Sequence, residues 1–344
     1  MAEKKPKLAI TMGDPGSIGP ELCIKALVKP EIYQICNPVV IGSLQFLEKA
    51  AKVVGTKDTS FNVIQDIKEA RFRYGTIDVL DMWKLDTTGV KPGKVSKVGG
   101  ELSFNYIKTA IDLALSKEAD ATVTNAISKE AINLAGHHYA GHTEIYAHMT
   151  GTSKYTMMLA HGHLRVVHVS THTSLREACD LVKRTRVFEV ICIADKACKD
   201  MGITSPKIGV AGLNPHCGEN GMFGTEEIQE IIPAIEDAVL QGITAEGPIA
   251  PDTVFPKARG GRYDMVVAMY HDQGHIPLKM EGFVYNEAEK RWNDVAGVNV
   301  TLNLPIIRAS VDHGVAFDQA YKGTASPSSL INAIEYAAAF AALV

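Results

Sequence analysis

The chain is poor in cysteine, and its cysteines form no pattern. Six occur in 344 residues, at Cys23, Cys36, Cys179, Cys192, Cys198 and Cys217, and none belongs to a CxxC pair. For a chain this long, that usage excludes a disulfide framework and points to reduced, mostly buried thiols. Long apolar runs are also missing, and none approaches the roughly 18 residues needed to span a bilayer. The charged start, "MAEKKPKLAITMGDPG", enters an apolar run that is too short for a secretory signal and is broken by an aspartate. Neither sign of charge dominates: 35 basic against 39 acidic residues give a formal net charge of −4. That balance excludes a polybasic nucleic-acid surface or membrane anchor. No repeat, low-complexity tract or obvious linker is visible. These absences predict a cytoplasmic protein with no nucleic-acid and no membrane partner.

What is present is ordinary soluble composition, 46% apolar and 22% charged, at a length suited to two domains or one large one. Short apolar runs alternate with longer helical patterns. The strand candidates are "KLAITM", "NPVVIG", "IDVLDM", "DATVTN", "TMMLAHG", "RVVHVST", "PKIGVAG" and "DMVVAMY". Between them lie "PELCIKAL", "LQFLEKAAKVV", "GELSFNYIKTAIDLALSKE", "REACDLVKRTRVFEVICIADKACKDMG" and "TEEIQEIIPAIEDAVLQG". The alternation predicts an α/β protein with a largely parallel sheet. "RVVHVSTHT" after "TMMLAHGHL" reads alternatively as a hairpin arm, which would make the sheet mixed. "PSSLINAIEYAAAFAALV" reads as a terminal apolar helix capped by Ser326 or Ser328.

Four stretches carry residues suited to chemistry. "TMGDPGSIGPE" follows a strand and opens a helix. Its glycines 13, 16 and 19 are spaced GxxGxxG, which is neither GxGxxG nor a Walker A. They either admit a ligand to the backbone or make a tight turn around Asp14. In "VTNAISKEAINLAGHHYAGHTEIYAHM", Lys129 opens a helix, and His137, His138, His142, Thr143 and Glu144 then crowd into a loop. These groups either receive an anion such as phosphate near helix N-termini or cap helices.

Histidines then recur at 161, 163, 168, 172, 216, 271 and 275. No pair has HExxH spacing. His161 and His163 lie two apart on a strand candidate, and others sit where strands end: "VSTH", "GLNPH", "MYHDQG". Three imidazoles converging from strand ends would leave a divalent metal one open position for substrate. The alternative is that each histidine bonds only its own loop. Last, "VNVTLNLPIIRASVDHGVAFDQAYKGTASPSSL" carries Arg308 and a His-Gly turn. That turn suits an adenine ring, or is simply a surface loop.

Taken together, "ITMGDPGSIGPE", "GHTE", "VSTH", "GLNPHCGENGMFGTEE", "GPIAPDTVF", "MYHDQG" and "VNVTLNLPIIRASVDHG" resemble the 4-hydroxythreonine-4-phosphate dehydrogenase family. That family lies within the isocitrate and isopropylmalate dehydrogenase superfamily. The matches keep family order over nearly the whole chain. The resemblance implies two α/β/α domains with mixed, largely parallel sheets and an active-site cleft between them. We expect residues 1–127 plus 298–344 to form one domain, with the cofactor-binding tail. Residues 128–297 would form the other, with the metal-ligand histidines and the interface of a homodimer whose active site is shared between subunits.

The resemblance also implies roles. His172, His216 and His271 look like the metal ligands, one of them donated by the partner subunit. His142, Thr143, Lys279, Asn299 and Arg308 match substrate-binding positions. Lys279, Asp252 and Asp272 are the candidate catalytic groups. His313, Gly314, Ala316 and Asp318 fall where the superfamily binds the adenosine of NAD or NADP. The implied metal is divalent, zinc first, with Mg, Mn, Co or Ni as alternatives.

The implied reaction is NAD(P)-dependent oxidation, with decarboxylation, of a 4-phosphorylated hydroxy acid such as 4-hydroxythreonine 4-phosphate or 4-phospho-D-threonate or erythronate. A dihydrodiol dehydrogenase of the same family and a phosphate acyltransferase on the same fold are the alternatives. Departures from the family pattern occur at Gly16-Ser17, Asn303, Val315, "AYKGTASPSSL" and an insert at 284–297. "HDQGHIP", with His275, is closer to the phosphothreonate or phosphoerythronate paralogues.

Overall fold

In the computed structural model, residues 5–56, 59–288 and 291–343 are described. The strands are β1 (Lys7–Thr11), β2 (Asn37–Ile41), β3 (Ser60–Ile64), β4 (Thr76–Leu80), β5 (Ala121–Thr124), β6 (Thr156–His161), β7 (Leu164–His168), β8 (Lys207–Ala211), β9 (Thr244–Ile249), β10 (Met265–Ala268), β11 (Phe283–Asn286), β12 (Arg291–Val295), β13 (Val298–Leu302) and β14 (Ile307–Val311). Twelve of them form one sheet in the order β3-β4-β2-β1-β5-β14-β13-β6-β7-β10-β8-β9. The remaining pair, β11 and β12, is an antiparallel hairpin within the 284–297 insert. Residues 289 and 290 of that insert lie outside the described residues.

The sheet is largely parallel, with an antiparallel centre. β14 pairs antiparallel with β13, β13 with β6, and β6 with β7. The β6–β7 pair is the hairpin that the sequence allowed. Three reversals separate the parallel run β3-β4-β2-β1-β5-β14 from the run β7-β10-β8-β9, so the two runs point in opposite senses. Segments 1–127 and 298–344 contribute the neighbouring strands from β3 to β13 in sheet order. Segment 128–297 contributes β6, β7, β10, β8 and β9.

The strand cores are apolar on both faces, as a helix-covered parallel sheet requires. All four residues of β5 and of β10 are buried. The terminal helix Ser328–Leu343 packs on β14 and β5 of its own chain, and Ser326 Oγ accepts the Ser328 N–H at 3.3 Å near its start. The long pattern at 176–202 divides at Val182-Lys183 into two helices, the first opened by a Ser174–Glu177 capping box. Among the described residues, no helix is long and apolar enough to cross a membrane.

Several elements differ from the expectation. β3, β9, β13 and β14 are strands that alternation did not flag. His142–Thr150 and His271–Gly282 are helices where loops were expected. Both begin on the histidine of interest, so polar residues at a helix start read as a loop. The GxxGxxG glycines serve packing. A Cβ on Gly13 would stand 2.5 Å from the Ala126 carbonyl oxygen, and one on Gly19 would stand 2.2 Å from that of Met12. The tight-turn reading therefore holds.

Candidate active site

A cavity of about 800 Å³ crosses the antiparallel centre. Six strands adjacent in the sheet feed it, through Thr124 of β5, Arg308 and Ser310 of β14, Asn299 of β13, Met157 of β6, His172 beyond β7 and His271 beyond β10. Ligand space therefore lies where the two parallel runs meet, and strand interiors supply residues as well as strand ends.

Arg308 is the dominant charge. It is 2% exposed, and its guanidinium donates to three hydroxyls: Thr301 Oγ1 at 2.6 Å, Thr124 Oγ1 at 3.2 Å and Thr143 Oγ1 at 3.4 Å. Its Nε is buried without a partner. Among the described residues no carboxylate pairs with it. Burial lowers its pKa to about 10. A buried cation with neutral partners costs stability, and an anionic ligand would offset that cost. His142 stands beside it, half-buried, with its Nε2 enclosed and unpartnered. Burial first, then Arg308 and Lys129, hold its pKa well below the usual histidine range, so it is neutral at pH 7. Asn299 has an unpartnered Oδ1. Lys129 and Lys279 also line the cavity, so cations and free polar atoms converge on one space.

His172 and His271 face each other with ring centroids 6.0 Å apart. His271 Nδ1 is 2.6 Å from Asp272 Oδ1, which leaves Nε2 for another partner. Asp272 itself is largely exposed. His275 is more than a marker of subfamily. Its ring stacks on His271 at 3.6 Å and 13°, and its Nδ1 donates to the His271 carbonyl at 2.8 Å. The helix bearing both is stitched to the sheet by Gln273. This buried side chain accepts the Met269 N–H at 2.6 Å and donates to the Gly212 carbonyl at 2.8 Å. Gly274 is obligatory, since a Cβ there would stand 2.3 Å from His168 Nε2.

His216 is not in this cavity. It opens a run of left-handed backbone from His216 to Asn220, with φ of 52°, 55°, 77°, 44° and 53°. Each non-glycine residue there costs roughly 1–2 kcal/mol. The run carries the imidazole to the surface, 74% exposed. Asp252 is also exposed, near Cys217, whose thiol pKa is raised by burial first, then by Glu227 and Asp252. Among the described residues, no three His, Cys, Asp or Glu side chains form a metal-binding group. One chain thus brings together two of the three expected ligands and leaves His216 and Asp252 outside. His161 ends β6 and His163 lies in the following turn, so these two do not share a strand face, and neither lines the cavity.

Part of the cavity lining comes from the tail. His313, Gly314 and Ala316 line the cavity, as do Gln319, Ala325 and Ser326, whereas Asp318 is exposed beside it. Glu21 and Lys25 of the first helix grip this tail. Glu21 Oε2 accepts the Gly323 N–H at 2.7 Å, and Lys25 Nζ donates to the carbonyls of Gly323 at 2.8 Å and Ala325 at 2.6 Å. Asp312 was missed by the sequence reading. It lines the cavity with Oδ2 unpartnered, and burial raises its pKa to about 6 against the pull of Lys279 and His271. Its place beside "HG" was the available signal.

The comparisons agree with this geometry. The family model described as pyridoxal phosphate biosynthetic protein PdxA matches residues 34–337. D-threonate 4-phosphate dehydrogenase of Salmonella typhimurium is 46% identical over 330 residues, covering 96% of this chain and 97% of its own. The Pectobacterium atrosepticum protein of the same name is 44% identical over 330 residues, covering 96% and 98%. The crystal structure of 4-hydroxythreonine-4-phosphate dehydrogenase from Klebsiella pneumoniae superposes with a TM-score of 0.86 at 42% identity, covering 98% of this chain and all of that one. On sequence, fold and cavity together, the chain belongs to the PdxA family of pyridoxal phosphate biosynthetic proteins.

Proposed function

We propose that this chain is an NAD(P)-dependent, metal-dependent dehydrogenase of a 4-phosphorylated hydroxy acid, with D-threonate 4-phosphate the favoured substrate. The observation that carries the reading is Arg308, a buried guanidinium held by threonine hydroxyls and the Tyr146 ring, with no carboxylate partner among the described residues, and open to a cavity with free polar atoms. Such a group suits a phosphate or carboxylate. Relatives named D-threonate 4-phosphate dehydrogenase support the substrate class.

Arg308, His142, Thr143 and Asn299 bind and orient the anionic ends of the substrate. Lys279 accepts the proton of the secondary alcohol. The alcohol loses hydride and proton to give a β-keto acid, which releases CO2 and leaves a phosphorylated three-carbon ketone. A divalent cation supplies a Lewis acid to the substrate hydroxyl, and NAD(P)+ supplies the hydride acceptor. The donor set fits such a cation in part: His172 and His271 offer two facing imidazoles, and Asp272 orients the second. Zinc suits imidazole ligands best, with Mg, Mn, Co and Ni as alternatives. The third position belongs to His216 of the partner subunit in a homodimer, and Asp252 travels with it. His313, Gly314, Ala316 and Asp318 hold the adenosine end of the dinucleotide. The domain division at 127/128 and 297/298 and a cytoplasmic location complete the proposal.

The test is a substrate panel read as NAD(P)H formation. D-threonate 4-phosphate, D-erythronate 4-phosphate and 4-hydroxythreonine 4-phosphate are compared with unphosphorylated D-threonate. We expect turnover of at least one phosphorylated acid, with kcat/KM at least about a hundredfold above the unphosphorylated one. Equal turnover with and without phosphate would overturn the assignment.

A further inference from the structure

We infer that Glu227 is a positioning residue for His216. The inference rests on the reading of His216 as a metal ligand, and concerns how one chain aims that imidazole. The His216 side chain is 74% exposed, and among the described residues its ion-pair contact is Glu219, at 3.8 Å. The direction of the ring is therefore set by the backbone beneath it. That backbone is the left-handed run from His216 to Asn220, a conformation that four side-chain-bearing residues do not hold unaided.

Glu227 is what anchors it. The residue is 2% exposed. Its Oε1 accepts the backbone N–H groups of Leu213 at 2.8 Å and Asn214 at 2.7 Å. Its Oε2 accepts the Asn214 side-chain amide at 2.9 Å, and that amide also donates to Glu226 Oε2 at 2.7 Å. Leu213 and Asn214 immediately precede Pro215 and the left-handed run, and the Cys217 N–H closes back on the Asn214 carbonyl at 3.1 Å. The loop also wraps the carboxylate closely. A Cβ on Gly218 would stand 2.9 Å from Glu227 Oε2, and one on Gly212 would stand 3.2 Å from Oε1. Both carboxylate oxygens are used in this way under the loop, so Glu227 acts through His216 and is not itself a ligand. The spacing "GLNPHCGENGMFGTEE" thus encodes a ligand together with its holder.

The test measures Co2+ affinity of the full-length protein from the visible absorption of the bound ion, in wild type, E227Q, N214A, H216A and the double variant H216A/E227Q. The isosteric E227Q keeps the loop's packing, and N214A is the second variant, leaving the carboxylate in place. We expect E227Q to weaken Co2+ binding by roughly tenfold to a hundredfold and N214A to weaken it by less. We expect H216A/E227Q to bind no more weakly than H216A alone. Wild-type affinity in both E227Q and N214A overturns the inference. So does an E227Q loss that persists undiminished in the H216A background, because it would then not act through His216. Wild-type affinity in H216A overturns the ligand reading itself. Loss in H216A with none in E227Q or N214A removes only the role of Glu227.

Discussion

At the scale of single residues, the site is defined by groups that lack partners. Among the described residues, Arg308 has a donor to spare and no carboxylate partner, and His142 Nε2, Asn299 Oδ1 and Asp312 Oδ2 are buried and unpaired. Such groups are costly in an empty protein, and an anionic, hydroxyl-bearing ligand can satisfy them together. R308A is therefore expected to raise the KM for D-threonate 4-phosphate by about a hundredfold or more. It should scarcely lower the melting temperature of the ligand-free protein. A large fall in stability with unchanged KM would mean that Arg308 is structural.

Asp14 gives a second, independent residue test. Burial raises its pKa from 3.8 to about 6. The folded state then binds this proton more tightly than the unfolded state. The ionised form is destabilising above pH 6, and the penalty fades as pH falls from 6 towards 3.8. D14N should stabilise by on the order of 2–3 kcal/mol at pH 7, with the gain gone near pH 4. Denaturant unfolding across that range checks it, and a pH-independent difference would contradict it.

Arg308 and His142 were legible in the sequence through the motifs that contain them. Of the threonine collar only Thr143 was legible, because Thr124 and Thr301 come from strands far apart in the chain that the fold brings to Arg308. Asp312 was overlooked because its neighbour His313 drew the reading.

At the scale of elements, the motif "MYHDQG" shows how a sequence can hide a helix. Polar residues after a buried strand look like a loop, yet they form the first turn of His271–Gly282. Each residue has a separate job: His271 faces His172, Asp272 pairs with His271, Gln273 ties β10 to the end of β8, and Gly274 makes room for His168. G274A forces a clash at 2.3 Å with a buried ring. It should cost about 1–3 kcal/mol, seen as a lower melting temperature and weaker metal binding. An unchanged melting temperature would show that the helix can shift freely.

The βα alternation was readable because strands buried on both faces are continuous apolar runs. β13 and β14 escaped it because Asn299, Thr301, Arg308 and Ser310 interrupt them. Those interruptions face the cavity or bond within it, so the site itself obscured the element. Asn303, one of the expected departures from the family pattern, is left-handed with φ of 66°. Asparagine tolerates that conformation, and here its side chain donates to the Lys154 carbonyl at 2.7 Å.

At the scale of the whole molecule, one continuous sheet joins two parallel runs of opposite sense, and the cavity lies over their junction. The proposed homodimer follows from what this chain leaves outside. His216 is displayed on the surface, while His172 and His271 face each other and, among the described residues, no third side chain completes a metal-binding group with them. Exposed apolar side chains at Ile276, Met280 and Val284, on the helix and hairpin beside the site, give the partner a surface to cover. A shared site makes a complementation prediction. Mixing H216A with H271A and allowing subunits to exchange should restore up to about a quarter of wild-type activity, because half the dimers then hold one intact site. No recovery after exchange would place all three ligands on one chain.

The most direct test of the central claim is NAD(P)H formation from D-threonate 4-phosphate before and after removal of divalent metal by a chelator. The account predicts turnover that disappears on chelation and returns with zinc, cobalt or manganese. Turnover that survives complete chelation, or its absence from the metal-loaded protein with either dinucleotide, would contradict it.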